Sequence, residues 1–118
     1  MAIAPLKYRF NVFIVPAPDL PGQWVAHCIE LDLVTQGNTP EQASAMLIEA
    51  IALVAEERGF PPFEFRSVPA AEVRAYWRAP VWGHVDVEIH YRLDESHPDA
   101  LPIFDGVSTA PALEQRAS

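Results

Sequence analysis

Thr39-Pro40-Glu41-Gln42-Ala43-Ser44-Ala45-Met46-Leu47-Ile48-Glu49-Ala50-Ile51-Ala52-Leu53-Val54-Ala55-Glu56-Glu57-Arg58-Gly59 carries the marks of one amphipathic helix from start to stop. Thr39 can cap it, Pro40 suits the first helical position, and Gln42 completes a Thr-x-x-Gln capping box. Ala43, Met46, Leu47, Ala50, Ile51 and Val54 recur at helical spacing and predict the buried stripe. Glu41, Ala45, Glu49, Ala52 and Glu56 fall on the opposite side, where the flanking Ile48 and Leu53 widen the apolar arc and point to self-association. Gly59 can close the helix, and Pro61-Pro62 forbid its continuation.

On the N-terminal side of this helix the period changes from 3.6 to 2. Leu6, Tyr8, Phe10, Val12 and Ile14 alternate with Lys7, Arg9 and Asn11, a strand with one wet face that becomes buried on both sides near Phe13 and Val15. Pro16, Pro18, Pro21 and Gly22 mark a turn, and Gln23 to Ile29 reads as an antiparallel partner strand. Leu33 to Gln36 is a short third strand stopped at Gly37-Asn38. On the C-terminal side, Pro69 to Arg78 reads as a short helix with a poor cap. Val85, Val87, Ile89, Tyr91 and Leu93 then alternate cleanly with Asp86, Glu88, His90 and Arg92. From Asp94 the chain is acidic and carries Pro98, Pro102 and Pro111, which predicts a mobile tail. The expectation is therefore an α+β domain over residues 1–93 and a flexible tail over 94–118. The domain has two layers, a mostly antiparallel sheet of three to four strands with one main helix on one face.

The chain has 118 residues, half of them apolar or aromatic and a fifth charged, enough for one core and against wholesale disorder. No apolar run approaches the roughly 18 residues of a membrane span, and the N-terminus lacks a signal peptide's layout. A single cysteine, Cys28, excludes an internal disulfide and suits a reducing cytoplasm. Sixteen acids against eight bases give a net charge of −8, which argues against a general nucleic-acid binder and suits a basic partner. The imbalance is uneven: residues 1–58 hold seven acids and three bases, 59–93 four of each, and 94–118 five acids and one base.

Candidate chemistry is sparse. His84, Asp86, Glu88 and His90 project from one strand face, but i and i+2 lie about 6.8 Å apart, so two neighbours could share an ion and four could not. Asp86, Glu88 and His90 are the set a metal-dependent hydrolase would use. His27 and Cys28 are adjacent in a strand and point to opposite faces, so they cannot form a nucleophile–base dyad. Cys28 is expected to pack as a small apolar group and His27 to sit at a face edge. Glu30 and Asp32, one strand pitch apart, are expected in a solvated loop and available for partner contact. Tyr76, Trp77 and Trp82 form an aromatic cluster that is expected to pack in the core, with an interface as the alternative. There is no phosphate loop, GxSxG, HExxH or CxxC.

Gly22-Gln23-Trp24-Val25-Ala26, Glu30-Leu31, Gln36-Gly37-Asn38-Thr39-Pro40-Glu41-Gln42-Ala43 and Leu47-Ile48-Glu49-Ala50-Ile51 together resemble the HicB family of type II antitoxins. The resemblance covers about residues 6–57, and Val85 to Leu93 is similar to the family's later strand. It implies a partial RNase H-like fold without the catalytic acids, and the first strand here offers Asn11 but no Asp or Glu. It also implies a partner, a small basic HicA-like ribonuclease whose catalytic histidine is occluded, with surplus acid aiding steering and occlusion. Gln42 stands where the family has a second helix-start acid. Many family members continue into a DNA-binding segment. Residues 94–118 are acidic and proline-containing and cannot lay a helix or ribbon in a groove, which puts DNA binding in doubt.

The expectation that follows is a cytoplasmic, non-enzymatic HicB-like antitoxin or orphan relative, without cofactor, forming a homodimer or larger. Glu30, Asp32, Glu41, Glu49 and Glu56 are its candidate partner-binding acids. Two alternatives stand beside it: the hydrolase on the last-strand face, and a small-molecule-binding or structural domain using the Trp77/Trp82 region.

Overall fold

The computed structural model describes residues 3–116. Five strands and two helices follow in the order β1 (Leu6–Pro16), β2 (Trp24–Cys28), β3 (Leu33–Gly37), α1 (Pro40–Arg58), α2 (Ala70–Arg78), β4 (Val81–Arg92) and β5 (Ile103–Gln115). The strands form one sheet in the order β3-β2-β1-β4-β5, with every neighbouring pair antiparallel. The α+β class holds, but the sheet has five strands where three to four were expected. No helix among the described residues is long and apolar enough to cross a membrane.

The fifth strand lies where a flexible tail was expected. Residues 103–115 pair with β4 from Arg92↔Ile103 to Val81↔Gln115, with an irregularity at His90/Tyr91. Phe104, Val107 and Leu113 pack it against the core, and the strand period is obscured by Pro111 and by acids. An edge strand leaves every second N–H unpaired, so it tolerates a proline that a central strand would reject.

Period two sorts the sheet into two faces. Phe10, Val12, Ile14, Ala26, Cys28, Val85, Val87, Ile89 and Tyr91 are buried against α1 in one continuous core with Ala43, Leu47, Ile51 and Ala55. The buried side of α1 is Ala43, Ser44, Leu47, Ile51 and Ala55. It is rotated from the predicted stripe, so that Met46 is 46 % exposed. Gly59, at φ 76°, closes α1 by donating its N–H to Ala55 O at 3.1 Å.

The chain then crosses to the opposite face. Phe63 meets Tyr8 and Phe10 edge-to-face and Phe65 packs against the same two rings, still on the α1 side. Arg66 then runs beside the end of β2, its backbone N–H donating to Glu30 O at 3.3 Å and its Nε to Ile29 O at 3.0 Å. Beyond it α2 covers a smaller second core of Phe13, Ile29 and Ala79. This crossing sets the functional geometry, because it places α2 over only one end of the second face.

Candidate functional site

At the covered end, the β2–β3 turn holds Asp32 at φ 53°, a left-handed position that aspartate tolerates better than most residues. Its carboxylate meets the buried His27, with Nε2 to Oδ1 at 2.9 Å. Glu72 of α2 approaches the same nitrogen at 3.7 Å. Arg66 joins both acids, at 3.4 Å from Asp32 and in a close ion pair with Glu72. Phe13 contacts the imidazole edge-to-face. His27 is thus not the face-edge residue expected; it sits at the centre of a network built from β2, its turn, the crossing segment and α2.

His27, Asp32 and Glu72 are the one group among the described residues whose ligand atoms lie within 4.8 Å of one another. One imidazole and two carboxylates are a donor set for a divalent cation. The guanidinium of Arg66 already pairs with both acids, however, and an ion would have to displace it. What the arrangement does unaided is fasten α2 to the sheet.

Glu30, the other acid of this turn, points to the same face and accepts from Asn11 at both oxygens, Oε1 from the backbone N–H at 2.8 Å and Oε2 from Nδ2 at 2.7 Å. Cys28 faces away from His27 into the α1 core, and burial pushes its thiol up to about 12.

At the uncovered end, β1 and β4 form a cross-strand ladder of opposite charges. Arg9 grips Asp86 through two bonds of 2.7 and 3.1 Å and holds its carboxyl below the usual range. Lys7 stands 3.5 Å from Glu88, which His90 also approaches at 3.7 Å. Asp86, Glu88 and His90 are thus engaged along the strand and do not converge on one point.

The remaining acids lie on the other side of the molecule. Glu41, Glu49 and Glu56 are exposed on α1 and, with Glu57, form no ion pair among the described residues. Met46 and the 49 % exposed Leu53 stand among them. Along the N-terminal half of α1 runs a groove of about 500 Å3 floored by Ile14, Ile48, Val81 and Leu113, with Glu41 and Glu114 also lining it. The five acids singled out from the sequence therefore divide into two sets. Asp32, exposed at the turn, pairs with His27 and Arg66 and Glu30 is held by Asn11, both on the α2 side, whereas Glu41, Glu49 and Glu56 share one open helix face.

Comparison with known family models, curated proteins and solved structures finds no match to this chain.

Proposed function

We propose that this protein is a non-enzymatic binding domain, a HicB-like antitoxin or orphan relative, that covers a small basic ribonuclease-type partner with the acidic face of α1. One observation carries the proposal: Lys7, Arg9, Arg58, Arg66 and Arg92 each pair with an acid of the same chain, while the acids of α1 are left without a counter-charge. Unpaired like charges on one helix face cost stability, and a basic partner removes that cost on binding. Met46, Leu53 and the neighbouring groove add the apolar area that charge alone does not supply.

The HicB likeness, with its partial RNase H-like fold, rests on the residues quoted from Gly22 to Ile51 and on the similarity of Val85 to Leu93 to the family's later strand. Self-association belongs to the same proposal. The free edge of β5 and the exposed Met46 and Leu53 are the surfaces that would serve it. The cytoplasmic setting follows from the proposed partner.

Co-expression of the tagged chain with the small basic protein encoded beside it tests the proposal. The expected result is a salt-sensitive complex and rescued growth, both lost in a Glu41→Lys, Glu49→Lys, Glu56→Lys variant that still folds. Absence of a complex and of rescue with the unaltered chain would remove the antitoxin assignment. A complex that the triple variant still forms would move the interface off α1.

A further inference from the structure

A second cavity, of about 350 Å3, opens beside α2 on the other face of the sheet, between Val68, Val73 and Trp77 on one side and Asn11, Ile29 and Glu30 on the other. Its walls are apolar and aromatic, with one carboxylate set among them. The two bonds from Asn11 fix the Glu30 carboxylate in place but bring it no positive charge, and each oxygen keeps a lone pair. Glu30 forms no ion pair among the described residues, although it is half-buried. An oriented, partly desolvated carboxylate without a counter-ion is a seat for a cation.

The aromatic wall shows what kind of cation it accepts. Tyr76 packs edge-to-face against Trp77 and Trp82, with ring centres 5.2 and 5.7 Å apart. On the β5 side of this cluster the guanidinium of Arg116 lies 4.7 Å from the centre of the Trp82 ring. It also donates to Ala79 O at 2.9 Å and to Tyr76 O at 3.4 Å. One side of the cluster thus already holds an arginine of the chain itself, stacked on an indole. Tyr76 lines the cavity together with Glu30 and accepts from Arg116 at its backbone oxygen, so it adjoins both the filled cation seat and the acid without one. On the open side Trp77 is 61 % exposed and Val73 42 %.

We propose that this cavity receives an arginine side chain of a basic partner, its guanidinium on Glu30 and its stem against Val73 and Trp77. Arginine fits better than lysine because its flat, weakly hydrated head spans two carboxylate oxygens while its stem lies on the apolar wall. The source of the guest, a basic protein, rests on the function proposed above and requires a partner that reaches this face of the sheet as well as the α1 face; the chemistry of the cavity does not depend on it.

The test uses N-acetyl-arginine amide as probe and N-acetyl-citrulline amide as its uncharged counterpart, followed through the Trp77 indole N–H and the Ile29 amide by NMR. A single side chain binds weakly, so a saturable shift with a Kd of about 1–10 mM is expected for the arginine probe. The citrulline probe and the Glu30→Gln variant should each bind about tenfold more weakly or worse. Trp77→Ala, at an exposed position that leaves the fold intact, should lose the response at Ile29 as well. Equal responses to the two probes, no saturation, or an unchanged Kd in Glu30→Gln would overturn the proposal. Probe binding without any complex with the basic neighbour would overturn the proposed function alone. A complex without probe binding would overturn this cavity alone.

Discussion

The Cys28 thiol packs between the sheet and α1 at a fully buried position, and the loss of water raises it to about 12. Near pH 8 its thiolate fraction is then about one in ten thousand, and the thiolate is the species that reacts. A disulfide-exchange reagent should leave the native protein unlabelled and label one thiol per chain once denaturant is added; labelling of the folded protein would contradict the burial. The linkage has a definite sign. The unfolded thiol loses its proton near 9.0 while the folded one keeps it to about 12, so the unfolded chain binds fewer protons across that window. Stability from this group is complete below about 9.0 and is lost as pH rises toward 12, and a Cys28→Ala variant should lose that part of the alkaline slope. Gly83 is a second residue whose neighbours decide its identity. Its φ is +154°, and a Cβ there would lie 2.1 Å from Ala112 O on the neighbouring strand. Gly83→Ala should push β5 off β4 and cost about 3 kcal/mol in urea unfolding. Gly106, where a Cβ meets nothing within 4 Å, supplies the control: Gly106→Ala should change stability by no more than about 0.5 kcal/mol. Equal effects at the two positions would rule out the close approach as the cause.

Among the elements, α1 shows how a local signal becomes structure. Thr39 Oγ1 accepts from Gln42 N–H at 3.0 Å, as the Thr-x-x-Gln spacing requires. The return bond is displaced by one residue, because Gln42 Oε1 accepts from Asn38 N–H at 2.5 Å rather than from the cap itself. Thr39→Ala should therefore cost about 1 kcal/mol of stability, read as a lower urea midpoint with an unchanged slope. No loss would mean that tertiary packing alone sets the start of the helix. β1, β2, α1 and β4 were legible for the same reason: each has a clean period or a cap written in adjacent residues. β5 was not, since Asp105, Pro111 and Glu114 interrupt the alternation. They are accommodated only because the strand lies at an edge, a fact of topology and not of local sequence. The His27 network was illegible for a related reason. His27 and Asp32 face each other across a tight turn, a pairing that their spacing of five residues could have suggested. Arg66 and Glu72 reach them only because the chain crosses from the α1 face to the other. Period two did place Cys28 and His27 on opposite faces correctly, because that inference needs nothing beyond the strand itself.

At the scale of the whole molecule the governing quantity is the charge of −8 and where it resides. Short ion pairs occupy the β1–β4 face, and exposed pairs of that kind contribute little once solvent and salt screen them. Glu41, Glu49, Glu56 and Glu57 repel one another along α1 with no cation between them, and Glu56 and Glu57 also lie at the negative end of the helix dipole. Two opposing effects therefore respond to salt: screening weakens the pairs and relieves the repulsion. The repulsion should dominate, because net charge acts over the whole surface whereas each pair acts over one contact. The screening length falls from about 30 Å at 0.01 M to about 10 Å at 0.1 M, so the change should be concentrated in that range of sodium chloride. Tm should rise with added salt by several degrees, at about 4 °C for each kcal/mol of repulsion relieved. A Glu56→Lys, Glu57→Lys variant should start from a higher Tm at low salt and respond less. A Tm that falls with salt would show the pairs outweighing the repulsion, and the acids of α1 would then hold no electrostatic surplus to offer a basic partner.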